Sequence, residues 1–456
     1  MKHRILYAFL PMAMAAVVPT QTSVLAQDAP AEEPTETANA TDTYRQLDQL
    51  MDVFERVRAE YVEEVSDEKL IEGAIQGMLT SLDPHSSYLN VSDFDRMRTQ
   101  TDGEYGGLGL TVSMEDNVVR VVAPTDDTPA ARAGIKAGDY ITHIDGELIY
   151  GLTLNEAVDQ MRGAPGTPIE LTIVRDGEDE PLELTLTRET IELKPVKWEV
   201  QDDVGILRIS TFNKQTGPAT RQAIAAIAEQ EGNKLLGYVI DLRSNPGGLL
   251  DQAIEVSDVF LKKGGEIVSQ RGREASQVQR YFSRDGDMTN GKPVVVLVDQ
   301  GSASASEIVA GALQDHRRAL VVGSQSFGKG SVQTLIPLGT DTALRLTTAR
   351  YYTPSGRSVQ EEGIEPDITV PQLSDEHYAD RHFVREADLR RALRNESIDN
   401  DKLIEDDDKP NPRFDVSYDE LKEQGIEDYQ MHYAVDMLHR LEAGPGAPVQ
   451  TARADR

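Results

Sequence analysis

The stretch VDQGSASASEIVAGALQDHRRALVVGSQSFGKGSVQ (residues 298–333) sets Ser302, Ser304 and Ser306 at the end of an apolar run. Further on, Lys329 stands between two glycines. A serine becomes a nucleophile only when a neighbouring group takes its proton. No histidine stands beside these serines, so the lysine amine is the candidate base. Residues 294–298 read as a buried strand, Gln300-Gly301 as a turn, and the segment from about Ser304 to His316 as a helix. A serine at that corner meets the free N–H groups and dipole of a helix N-terminus, which favour developing negative charge. Acyl transfer needs such a setting, although a plain N-capping serine fits it equally well. An unperturbed lysine, with a pKa of about 10.4, has on the order of one neutral amine in 2,500 at pH 7. Deep burial brings an amine down by as much as about 3–5 pH units, and Phe327 with the flanking glycines offers apolar surroundings. A solvated loop lysine is the plain alternative, and the glycine spacing is not that of a Walker loop.

The elements that must position these groups belong to a chain of 456 residues, long enough for two or three domains. Hydrophobic residues make up 39% and charged residues 27%, the balance of a globular protein with polar tails. A formal charge of −32 argues against nucleic acid as a partner, because phosphate binding needs clustered Lys and Arg. There is no cysteine, hence no disulfide, thiol nucleophile or lipid-modified thiol. Lys2 and Arg4, the run ILYAFLPMAMAAVV and Val24-Leu25-Ala26 read as an export signal over residues 1–26. The expected location is therefore periplasmic or secreted, with membrane association through an uncleaved signal as the alternative.

Residues 27–43 are polar and carry proline, as a disordered linker does. Helical spacing begins at Tyr44 and fills a region over 44–100, in which Ser66-Asp67-Glu68 opens a second helix and Asp83-Pro84 ends it. A β-rich unit spans 103–192, with turns at Asp145-Gly146 and Asp176-Gly177 and a helix beginning near Leu154. From 193 to 371, apolar strands alternate with helices, the pattern of a buried and largely parallel sheet. DTALRLTTARYYTP reads as one more strand, near an edge. Residues 372–456 combine an acidic linker (DDDKPNP, 406–412) with a helical tail.

The unit over 103–192 resembles a PDZ domain: GGLGL matches the carboxylate-binding loop, and TPAARAGIKAGDYITHIDG follows the family pattern. The resemblance implies that Gly107, Leu108, Gly109 and Leu110 receive a peptide C-terminus, which adds as a strand.

From about Tyr44 to Pro371 the chain resembles the carboxyl-terminal processing (tail-specific) serine peptidases. The matching motifs include DPHSSY, DLRSNPGG, GSASASEI, FGKGSVQ, YYTPSGRSVQ and GIEPDI. The resemblance implies an α/β core related to the crotonase and Clp-protease group, with an inserted PDZ domain and helical N- and C-terminal segments. It implies Ser304 as nucleophile, Lys329 as base and Gln333 as the residue orienting the amine. Ala305 and one of Gly247 and Gly248 become the backbone oxyanion donors, and Arg162 a link from the PDZ domain to the site. No metal or cofactor is implied. The expected partners are protein substrates with apolar C-terminal tails, an envelope adaptor and further copies of the chain. Two rivals remain. One is a Ser–His–Asp hydrolase using His85, since His316 lies about 18 Å along the helix from its start. The other is a catalytically silent PDZ scaffold. A crotonase-type acyl-CoA enzyme leaves the signal and the PDZ unit unexplained.

Overall fold

The computed structural model describes residues 36–395 and 414–443, apart from positions 116, 275, 277 and 415. The expected export signal and the DDDKPNP linker lie outside the described residues. The described residues fall into two compact units that divide between Ile71 and Glu72. In the first, a helix spans Glu36–Glu60, so the expected linker ends earlier than residue 43. Residues 36–43 contain no proline or glycine, and an amphipathic helix nucleated beyond Tyr44 extends backwards at the gain of one hydrogen bond per residue. Tyr44, Leu47, Leu50 and Met51 stand exposed on it. A second helix, Asp67–Thr80, begins where the Ser66 hydroxyl accepts the Lys69 N–H at 3.3 Å.

The centre of the second unit is a six-stranded sheet. Its strands are, in spatial order, Val196–Gln201, Val204–Ile209, Gly237–Asp241, Val294–Val298, Leu320–Gly323 and Ile368–Thr369. The first pair is antiparallel and every later pair parallel. Strand Val294–Val298 is apolar at every position because both faces of the sheet are covered. Val296 and Val298 pack with helices Thr216–Glu231, Leu250–Asp258 and Ala305–Asp315. Val295 and Leu297 face Ala434, Val435 and Leu438 of helix Tyr429–Ala443. The C-terminal helical tail thus covers the core sheet, and Gly425, at φ +71°, divides it from the short helix Tyr418–Glu423.

A second, antiparallel sheet corrects one expectation. Ala343–Tyr352 does not lie at the edge of the parallel sheet; it is the central strand here, flanked by Ser87–Leu89, Glu266–Gly272 and Ser331–Pro337. Its polar alternation reflects one open sheet face rather than an edge position. The pairing with Ser87–Leu89 joins segments about 260 residues apart. Asp83, buried at the preceding turn, secures it by accepting from the N–H groups of His85 and Ser86 and from the hydroxyls of Ser86 and Thr347.

The inserted domain holds a five-strand antiparallel path from Leu110–Glu115 to Leu182–Thr187, around a core that includes Val119, Val121, Ile141, Leu171 and Ile173. Helix Leu154–Met161 closes it, begun by a reciprocal cap between Thr153 and Glu156. Asp145 and Gly146, at φ 50° and 79°, make the hairpin turn legible in the Asp-Gly pair. The ladder Glu104–Gly107 with Glu189–Glu192 clamps the two ends of the insert together.

Candidate active site

At the corner between strand Val294–Val298 and helix Ala305–Asp315, Ser304 has φ 55° and ψ −112°, a conformation that L-residues rarely adopt. The neighbouring serines are committed elsewhere. Ser302 donates to the Leu242 carbonyl at 2.9 Å, and Ser306 donates to the Asn245 carbonyl at 2.9 Å, both with no solvent exposure. Ser304 is the one of the three left partly exposed.

The strained corner is held by Glu307, a wholly buried carboxylate one turn into the helix. One oxygen accepts the backbone N–H of Ser304 at 2.7 Å and that of Lys329 at 2.9 Å. The other accepts the Ser326 hydroxyl at 2.6 Å and the Gly328 N–H at 2.7 Å. Burial pushes its pKa up to about 7, and these four donors hold it from rising further. Along the sequence Glu307 is an ordinary acid in the first turn of a helix, because its partners on the lysine loop become neighbours only on folding.

Lys329 reaches the cleft from that loop. Its Nζ has neither a hydrogen-bond acceptor nor a carboxylate in salt-bridge contact among the described residues. Burial pulls its pKa below the ordinary value, Arg345 adds to the lowering, and Glu386, Glu307 and Asp83 oppose it. Tyr351, also buried, fixes the loop from behind: its N–H donates to the Gly330 carbonyl at 2.9 Å and its hydroxyl to the Lys329 carbonyl. The phenol also interacts with the Ser304 and Glu307 side chains, and burial drives its pKa well above normal.

Gly247, at φ 97°, lies against the serine corner, and Gly248, at φ 147°, against the Phe212 backbone. A Cβ on Gly247 would stand 2.8 Å from that of Ser304 and 2.9 Å from the Ala305 nitrogen. The Gly247 N–H is occupied by the Asn245 side-chain oxygen at 2.9 Å. Those of Gly248 and Ala305 have no acceptor among the described residues.

The other expected residues make these contacts. The Gln333 amide donates to the Ser331 hydroxyl at 2.9 Å and not to the lysine. The Arg162 guanidinium stacks on the Tyr105 ring, 5.0 Å from its centroid, and its Nε is buried without a partner. In the PDZ loop, Leu108 is buried and Gly109 takes φ +77° hard against Thr128. Strand Leu110–Glu115 is the edge of its sheet, with one side open.

His85 is the base that a Ser–His–Asp reading would require. Strand Ser87–Leu89 carries it onto the wall of the cleft that holds Lys329, with its Nε2 2.8 Å from the buried carboxylate of Glu386. His316, by contrast, contacts the Glu266 carbonyl at the far end of the helix. No group of three or more potential metal ligands exists among the described residues.

Comparison with known proteins adds three family matches. These are peptidase family S41 over residues 203–370, a PDZ domain over 106–186, and the activating protease CtpB N-terminal domain over 9–92. A carboxy-terminal-processing protease of Bartonella bacilliformis is 59% identical over 343 residues, covering 75% of this chain and 79% of that protein. Carboxy-terminal processing protease CtpB of Bacillus subtilis is 39% identical over 333 residues, covering 72% and 68%. Among solved structures, a photosystem II D1 C-terminal processing protease matches with 30% identity and a TM-score of 0.42, covering 69% of this chain and 85% of that one.

Proposed function

The chain belongs to the carboxy-terminal processing proteases of peptidase family S41, and on that premise we propose that it cleaves peptide bonds with Ser304 as nucleophile and Lys329 as base. The observation that carries this reading is the pair itself: a strained, partly exposed serine and an unpaired, burial-depressed lysine, joined through Glu307. Neutral Lys329 takes the proton of the Ser304 hydroxyl, and the oxygen attacks the substrate carbonyl. The N–H groups of Gly248 and Ala305 receive the oxyanion; Gly247, with its N–H engaged, shapes the close approach. Protonated Lys329 then gives its proton to the leaving amine, and the amine freed again activates the water that hydrolyses the acyl-enzyme. Gln333 orients the amine once its amide leaves Ser331. No cofactor enters any step.

Substrate selection falls to the PDZ unit. The free edge of strand Leu110–Glu115, beside Gly107, Leu108 and Gly109, suits an extended C-terminal tail ending in an apolar residue. Arg162, stacked on Tyr105 with an unpartnered Nε, is available to carry that occupancy towards Gln333. The signal-like start supports export to the periplasm, where an envelope adaptor presents substrates. The exposed apolar side chains of helix Glu36–Glu60 support a homo-oligomer, which light scattering measures. The test of the catalytic reading is turnover of an unfolded, apolar-tailed protein. Ser304→Ala and Lys329→Met must each abolish cleavage while binding of the tail persists; cleavage by neither the wild type nor the variants would favour a silent scaffold.

One observation favours a second reading. The His85–Glu386 pair on the same cleft wall has the form of a base and its orienting acid. Under that reading His85, not Lys329, is indispensable.

A further inference from the structure

Beyond strand Ile368–Thr369, and past the residues matched by the peptidase family, the chain returns across the cleft beside Lys329 as an ordered strap, residues 372–389. Lys329 and Glu427 aside, the arginines and aspartates lining that cleft are paired internally. Arg208 pairs with Asp241 at 2.8 Å, Arg243 with Asp241 and Asp428 at 2.9 and 2.7 Å, and Arg381 with Asp375 at 2.7 Å. Asp299 is taken up by the N–H groups of Ser244 and Gly301. No unpaired charge among these is left to select an ionised substrate group.

Beside its polar residues, the strap contributes an apolar patch. Phe383 and Val384 line the cleft at 39% and 61% exposure, high for large hydrophobics in ordered chain. The Tyr378 ring backs Phe383 at 6.1 Å between centroids. Their position is fixed by the residues that follow. Arg385 donates to the carbonyls of Glu361 and Glu362 at 3.1 Å each. Glu386, with no exposure, donates its N–H to the Phe327 carbonyl at 3.1 Å, two residues before Lys329. The wall is thereby tied to the loop that carries the base.

We propose that Phe383 and Val384 form a specificity wall that accepts an apolar side chain of the substrate peptide close to the scissile bond, as a second selection step separate from tail capture by the PDZ loop. The inference rests on the assignment of Ser304 and Lys329 to catalysis. A pocket contact of this kind discriminates side chains by about 10–200-fold.

The test uses the full chain and fluorogenic peptides that share one apolar tail and vary, one position at a time, around the cleavage point between Leu and Glu. A small fluorophosphonate counts competent Ser304 sites in each preparation, so rates are expressed per competent site. In wild type, kcat/KM should favour Leu over Glu at one flanking position by at least about 10-fold. Val384→Lys should shrink or invert that ratio at the same position, Phe383→Ser should shrink it, and Phe383→Leu should preserve it. A ratio that Val384→Lys and Phe383→Ser leave unchanged, or an equal fall for every peptide, overturns the wall while leaving the catalytic assignment standing. Failure of that assignment shows separately, as wild type that is not labelled at Ser304 or cleaves no peptide.

Discussion

Ser304 and Lys329, 25 residues apart in the chain, donate their backbone N–H groups to the same carboxylate oxygen of Glu307, at 2.7 and 2.9 Å. The proposed nucleophile on a strand-to-helix corner and the proposed base on a separate loop thus share one buried anchor. Their relative position is set by the backbone, while the reacting side chains carry no structural bond to each other.

Glu307→Gln replaces an oxygen that accepts two N–H groups, or its equally occupied twin, by an NH2 that can only donate. Two buried donors then lose their acceptor, at a cost of about 2–3 kcal/mol. Turnover is expected to fall by at least about 100-fold, as when preorganised geometry is lost. Thermal melts and kcat on an apolar-tailed substrate measure the two effects. A variant with near-normal melting and turnover removes Glu307 from the positioning role.

The buried amine carries a stability penalty with a definite sign. With its folded pKa below the ordinary 10.5, Lys329 binds fewer protons in the native state than in the unfolded chain between those two values. The penalty is complete below the folded pKa and is relieved as pH rises from there to 10.5. Lys329→Met should therefore melt higher than wild type at pH 7, with the gain shrinking towards pH 10.5. Glu307 acts oppositely: raised from 4.5 to about 7, it makes stability fall as pH rises across that interval. Melting temperatures of both proteins across pH 4–11 check each sign.

Gly109→Ala places a Cβ within 2.4 Å of Thr128 at φ +77°. The loop must move, and the carboxylate nest with it. KM for an apolar-tailed protein should rise by at least about 10-fold, with hydrolysis of a short tail-less ester at Ser304 little altered. Equal losses on both substrates argue against tail capture at this loop.

His85→Ala separates the two candidate bases. With Lys329 as base, removal of the imidazole leaves turnover within about 10-fold of wild type, since general-base loss is worth about 100–10,000-fold. A drop of that larger size in a folded variant transfers the role to the His85–Glu386 pair.

Much of the site is legible along the chain because its parts are local. The unbroken run VVVLV signals a strand covered on both faces, and the polar turn after it places Ser304 at a helix entrance. The glycines at 328 and 330 mark the lysine loop. The turn at Asp145-Gly146 and the helix beginning near Leu154 follow from local chemistry alone. What escapes is what folding brings together. Glu307 looks like an ordinary first-turn acid until the lysine loop arrives 21 and 22 residues later. His85 stands far along the chain from the lysine loop until Ser87–Leu89 pairs with a strand that begins at residue 343. Ala343–Tyr352 has the polarity of an edge but occupies the middle of a sheet with one open face. The choice between Gly247 and Gly248 turns on a side chain, Asn245, whose orientation two glycines do not announce.

The most direct measurement is the rate of Ser304 acylation by a small fluorophosphonate as a function of pH, in wild type and in Lys329→Met, with an apolar-tailed peptide bound. A lysine base predicts a wild-type rate that rises with pH through a midpoint below 10.5, and a variant in which that limb and nearly all of the rate are gone. A variant acylated at the wild-type rate with the same pH profile contradicts it.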